Sequence, residues 1–258
     1  MRAIYTAALG MQSQQQRLDN LANNIANAKT PGYKATRTDF KDALYTQTES
    51  PVSDSGAAGL LTGSGVLVAA TATDFRSGPI TETGNTLDFA LTGAGFFTVE
   101  SAGGQRYYTR NGSFLRSGPV ADAATEEETA YLVTAQGYYV LDKEGNRIAL
   151  PAAGAFSVNA DGAFTTAEGA AAALGIVSFA NPDGLAPAGG ACYQETAVSG
   201  EPANPEAPGV LQGSLEEANV EMSEELTLLI RSQRAYSLAG KALRVADEMD
   251  GLANNMRK

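Results

Sequence analysis

Apolar residues return every seven positions at the start of this chain, at Ile4, Met11, Leu18 and Ile25, with Ala7, Ala8, Leu21 and Ala22 between them. Near the other end Met222, Leu226, Leu229, Gln233, Tyr236, Ala239, Leu243, Ala246, Met249 and Ala253 step by threes and fours. Such steps put residues on one side of a helix and make the seam of a coiled coil. Both ends are therefore expected to be helices whose stripes need a partner, either each other or a neighbour's ends. That is the plan of a building part more than of a catalyst.

The first helix is expected from about Ala3 to Ala28, closed by Lys29-Thr30-Pro31-Gly32, because Pro31 lacks an amide hydrogen and disfavours helix at Thr30. A short helical or extended piece follows at Asp39 to Tyr45, and the Ser/Gly/Thr-rich residues 48–65 read as a flexible connection. Between Val66 and Phe179 the pattern turns to short β-type runs, among them Val66–Thr71, Leu87–Leu91, Phe96–Glu100, Tyr107–Arg110, Tyr131–Thr134, Tyr138–Leu141 and Leu174–Phe179. Gly103-Gly104, Asn111-Gly112, Glu144-Gly145-Asn146 and Asp161-Gly162 mark turns among them. Residues 181–209, rich in proline and glycine, read as a loop. The closing helix starts either at a capping box, Ser214 with Glu217, or at Ser223. The fold class is α+β, with a helical module at 1–47, the connection at 48–65, a β-rich antiparallel middle domain at 66–209, and a C-terminal helix at 210–258 packing with the N-terminal one in a coiled-coil-like module.

Composition narrows the chemistry. The chain has no histidine, so Ser-His-Asp and Cys-His catalysis and histidine-held metals are excluded. Cys192 is alone, which rules out an internal disulfide, and in its loop-like setting no role is expected for it. No cofactor or metal is expected. Residues 48–213 hold six Lys/Arg against eighteen Asp/Glu, which argues against nucleic acid as a partner. Residues 1–47 carry a net +3, and the five glutamates from Glu216 to Glu225 suit either pairing with that basic region or a helix N-terminus. No apolar run is long enough for a membrane span. Polar residues from Gln12 to Arg17 stand where a cleaved secretory signal needs an apolar core. Gly93-Ala94-Gly95 lacks the strand–loop–helix setting of a phosphate site and reads as a turn, and Glu126-Glu127-Glu128 as a solvated loop. Among 29 carboxylates no pair stands out, so a glycan hydrolase is only the enzyme alternative.

Projected at about 100° per residue, Asn20, Asn23, Asn24 and Asn27 form a ridge opposite the apolar stripe of Leu18, Leu21 and Ile25. The ridge is either a solvated polar face or a set of amides that fix register against another subunit. In the last helix Leu226, Leu229, Gln233, Tyr236 and Leu243 are candidates for the seam. Arg234 either lies in water or pairs with a neighbour's carboxylate. Pro31, Gly32 and Tyr33 stop the first helix and set the direction in which the chain leaves it.

Leu21-Ala22-Asn23-Asn24-Ile25-Ala26-Asn27-Ala28-Lys29-Thr30-Pro31-Gly32-Tyr33-Lys34 resembles the N-terminal signature of bacterial flagellar rod and hook proteins. Gly213-Ser214-Leu215-Glu216-Glu217-Ala218-Asn219-Val220, and Gln233-Arg234-Ala235-Tyr236 followed by Lys241, resemble the same family's C-terminal signature. Leu87-Asp88-Phe89-Ala90-Leu91, Gly95-Phe96-Phe97 and Tyr108-Thr109-Arg110-Asn111-Gly112-Ser113-Phe114 are similar to its shared β region. The opening Met1-Arg2-Ala3-Ile4-Tyr5-Thr6-Ala7-Ala8 and the total length are most similar to the distal-rod branch, with the proximal-rod branch as the competing assignment. The resemblance implies a basal-body subunit in the cell envelope that polymerises helically with its own copies. It implies neighbouring rod and hook proteins as partners, and export through the flagellar type III apparatus without a cleaved signal.

Overall fold

The computed structural model describes residues 2–47, 61–118, 120–121, 128–150, 156–166, 169–205 and 208–256. Residues 48–60 of the expected connection, with Glu126 and Glu127 of the acidic run, lie outside them. The chain divides into two units, one formed by residues 1–26, 36–74 and 221–258, the other by residues 27–35 and 75–220.

The first unit holds both long helices, α1 (Arg2–Ala26) and α2 (Met222–Met256). It also holds an antiparallel pair, Thr36–Asp42 with Val66–Thr73, whose register shifts between Asp39 and Phe40. α1 packs against α2 and against both strands. The piece near Asp39 is thus extended, as its alternating Thr36, Thr38 and Phe40 favour. Val66–Thr73, read from sequence as the first strand of the middle, pairs here instead. Ser13 is buried and its hydroxyl donates to Leu9 O at 2.8 Å and to Val66 O at 3.2 Å. The Arg17 guanidinium lies 5.6 Å from the centre of the Phe40 ring.

Of the two proposed starts of the last helix, Ser223 lies one residue inside the observed one, at Met222. Ser214 caps nothing, because Ser214–Glu216 is a strand paired with Ile80–Glu82. Backbone pairing has claimed the residues a capping box would need. Glu224 and Glu225 do occupy the first turn of α2, where the positive end of the helix dipole favours them.

The second unit is antiparallel wherever its strands pair, and its central strand, Phe96–Glu100, is buried on both faces. It pairs with Arg106–Thr109 through the Gly103-Gly104 hairpin, and also with Tyr139–Val140 and Ile176–Val177. Alternation sends Phe97 and Val99 into a core with Phe89, Phe114, Leu132 and Ile176. Phe96 points the other way, into a smaller aromatic cluster with Tyr108, Phe179, Leu185 and Tyr193. Within that cluster the rings of Tyr108 and Phe179 meet edge to face, 4.8 Å between centroids. Two sequence expectations are corrected here. Asn111-Gly112 joins no hairpin: a Cβ on Gly112 would lie 1.8 Å from Phe89 O, so glycine is required by close backbone approach. Residues 181–209 are not all loop, since Ala186–Gly189 pairs with Cys192–Gln194, which puts Cys192 in a buried strand opposite Thr109.

Candidate functional site

Charge is concentrated at one buried point of the second unit. Glu216 and Lys34 both have fully buried side chains, and Lys34 Nζ donates to Glu216 Oε1 at 2.6 Å. The same Oε1 accepts the Gly78 amide at 2.9 Å, while Oε2 accepts Arg110 at 3.2 Å. Lys34 also donates to Arg76 O at 2.8 Å. Backbone bonds brace the group: Gly32 N donates to Glu216 O and Glu217 N to Pro79 O, each at 2.8 Å. Arg110 leans over the Phe96 ring, 5.5 Å from its centre. Burial pulls its guanidinium below the usual range against the opposing pull of Glu216, and a guanidinium stays charged regardless.

Local sequence explains why these groups converge. Gly32 takes φ +68°, and a Cβ there would lie 2.3 Å from Asn111 N, so the Pro31-Gly32-Tyr33 turn runs tight against the Arg110-Asn111 backbone. Pro31, Gly32 and Tyr33 thus do more than end α1. They deliver Lys34 to Glu216. A Cβ at Gly78 would lie 2.1 Å from Glu217 O, which keeps the Gly78 and Glu217 backbones in close approach. One carboxylate serves two cations and an amide. Removing it would take the shared carboxylate from two buried positive charges.

The asparagine ridge is largely occupied within the chain. Asn24 is buried; its Nδ2 donates to Thr36 O at 2.8 Å and its Oδ1 accepts Thr36 N at 3.0 Å, which pins the strand to α1. Its Nδ2 also reaches Glu225 Oε1 at 3.3 Å. Asn20 Nδ2 donates to Thr38 Oγ1 at 2.6 Å. Asn27, in the second unit, accepts Thr30 Oγ1 at 3.3 Å, and Asn23 is solvent-exposed. Leu21 is buried, with Leu18 and Ile25 half-buried.

On α2 the sequence stripe splits. Leu229, Tyr236 and Leu243 are half-buried, on the side that also carries buried Ser232, whereas Leu226, Gln233 and Arg234 face solvent. A second apolar row is exposed outright, with Leu238, Val245, Met249, Leu252 and Met256 each more than half accessible. At about 100° per residue these five fall within roughly 60° of one another, about 160° from the covered side. Of this row the sequence reading placed Met249 alone in its stripe, because it followed one seam and the helix has two. It also missed Lys34, Arg110, Glu216 and Asn219 as a group. Their signals were that each sits inside a quoted motif and that Glu216 opens an acidic run suited to the basic N-terminal region.

Residues 4–34 match the family described as Flagella basal body rod protein, residues 90–153 the Flagellar hook protein FlgE/F/G D1 domain, and residues 211–256 the Flagellar basal body rod FlgEFG protein C-terminal. The flagellar basal-body rod protein FlgG of Borreliella burgdorferi is 35% identical over 100% of this chain and 99% of its own. The chain belongs to the flagellar basal-body rod family. The FlgG of Agrobacterium fabrum is 37% identical over 100% of both chains, and that of Bacillus subtilis 34% over 96% of each. The chain is therefore a structural subunit of the flagellar basal-body rod, and distal-rod-like. Among the described residues no helix is long and apolar enough to cross a membrane. Lys34, Arg110 and Glu216 each come from a different one of the three matched segments of this rod protein, and they meet at a single carboxylate.

Proposed function

We propose that the chain polymerises helically with copies of itself into a hollow shaft that carries torque from motor to hook. Neighbouring rod and hook proteins join its ends, the flagellar type III apparatus exports it, and it catalyses no reaction. The observation that carries this reading is the bare apolar row of α2. A monomer gains nothing from exposing Leu238, Val245, Met249, Leu252 and Met256 along one line, whereas a neighbour's helix would cover them. A contact of this kind, between unlike faces of successive copies, does not close on itself and so extends a filament. The subunit interface then runs over this row with Leu226, Gln233 and Arg234, and over Asn23 on α1. Leu18, Leu21, Ile25, Leu229, Tyr236 and Leu243 support it from within the unit, as Asn20 and Asn24 do through the strand.

The test is polymerisation of the purified full-length chain, followed by sedimentation and electron microscopy. The unaltered chain is expected to form rods. The double variant Leu238→Glu with Met249→Glu should keep its helix content by circular dichroism and remain monomeric. Rods formed equally well by that variant would refute the assignment of this row.

A further inference from the structure

The chain passes between its two units at four places, after Ala26, Ala35, Asp74 and Val220. Three of these lie next to one side chain. Asn219 Oδ1 accepts the Ala35 amide at 2.7 Å, and its Nδ2 donates to Arg76 O at 3.1 Å. Arg76 O also accepts Lys34 Nζ at 2.8 Å, and Lys34 is held by Glu216. All five residues belong to the second unit. A segment about to leave the unit at residue 35, one just arriving at residue 75 and one about to leave at residue 220 are therefore cross-linked by side chains, beyond their backbone pairing. Asn219 belongs to neither apolar cluster of the unit.

We propose that Asn219, which shares the Arg76 carbonyl with Lys34, is a clamp that holds three chain crossings at fixed mutual positions on the second unit, so that load along the chain is shared by three segments instead of one. This rests on the reading of the protein as a loaded shaft. An asparagine suits the task because its amide accepts from one segment while donating to another. A buried carboxylate with two cations gives it a base that tolerates little displacement.

The test is residue-resolved hydrogen exchange on the full-length monomer with Asn219→Ala. Loss of the bond to Ala35 should speed exchange of the Ala35 amide about tenfold, while the Leu91, Val99 and Leu132 amides of the core keep their protection. An unchanged Ala35 amide would overturn the clamp. So would equal loosening of the core, since Asn219 would then be an ordinary part of the fold. In cells the variant should assemble rods of normal number, with swimming speed falling more steeply than normal as viscosity is raised. A viscosity dependence identical to the unaltered chain would also overturn it. Failure of the shaft reading shows separately, as failure of the unaltered chain to form rods.

Discussion

The two units solve the problem of burial in opposite ways. The β unit closes around a core in which Phe89, Phe97, Phe114, Leu132 and Leu174 are wholly removed from water. In the helical unit Leu21 is the one buried large apolar side chain among the described residues; its other buried groups are Ser13, Asn24 and Ser232. Its helices instead expose Tyr5, Ile230, Leu238, Met249 and Leu252. One unit is finished as a monomer and the other is left open. Helices with a thin core draw their stability from whatever packs on them next, so the unfinished unit is the one fitted for assembly.

The difference can be broken most forcefully at the buried charge. Glu216→Ala takes the shared carboxylate away from Lys34 and Arg110 in the interior and should cost the β unit about 3–5 kcal/mol, read as a fall in its denaturation midpoint. A cost below about 1 kcal/mol would mean that the unit is not closed around this carboxylate. In the helical unit, Leu21→Ala should cost only about 2 kcal/mol, at the low end for a buried leucine, because a sparse core relaxes around the gap. Phe97→Ala in the β unit should cost about 3–5 kcal/mol by the same measurement. Equal losses at the two sites would erase the contrast.

The smallest effect belongs to Glu225. Burial raises its carboxyl above the usual 4.5, the neighbouring Glu224 adds to the rise, and Asn24 and Arg17 oppose it. The folded chain therefore holds this proton more tightly than the unfolded chain does. Stability from this group is present below pH 4.5 and is lost as pH rises through the folded value. Glu225→Gln should then be slightly more stable than the unaltered chain at neutral pH, with the gap closing toward pH 4.5. Thermal melts across that range check the sign.

Much of this was legible in the sequence, and what was not has physical causes. Both helices, the β-rich middle and the turns at Gly103-Gly104 and Glu144-Gly145-Asn146 follow from periodicity and turn chemistry, which are local. Ser214 misled because a capping signal competes with strand pairing to residues more than a hundred positions away. The acidic run from Glu216 was matched correctly to basic N-terminal residues in sign, yet no local pattern says that Glu216 faces Lys34 and Arg110 while Glu217 faces Thr81. The asparagine ridge shows the same limit. Its amides read as spare, but strand Thr36–Asp42 lies along α1 and takes two of them.

The most direct test of an open unit beside a closed one is hydrogen exchange of the full-length chain, measured residue by residue before and after polymerisation. The account predicts that amides of α1 and α2 exchange readily in the monomer and gain at least about a hundredfold protection in the rod, while Phe97, Val99 and Leu132 stay protected throughout. Helices already protected as strongly as the β core in the dilute monomer would contradict it.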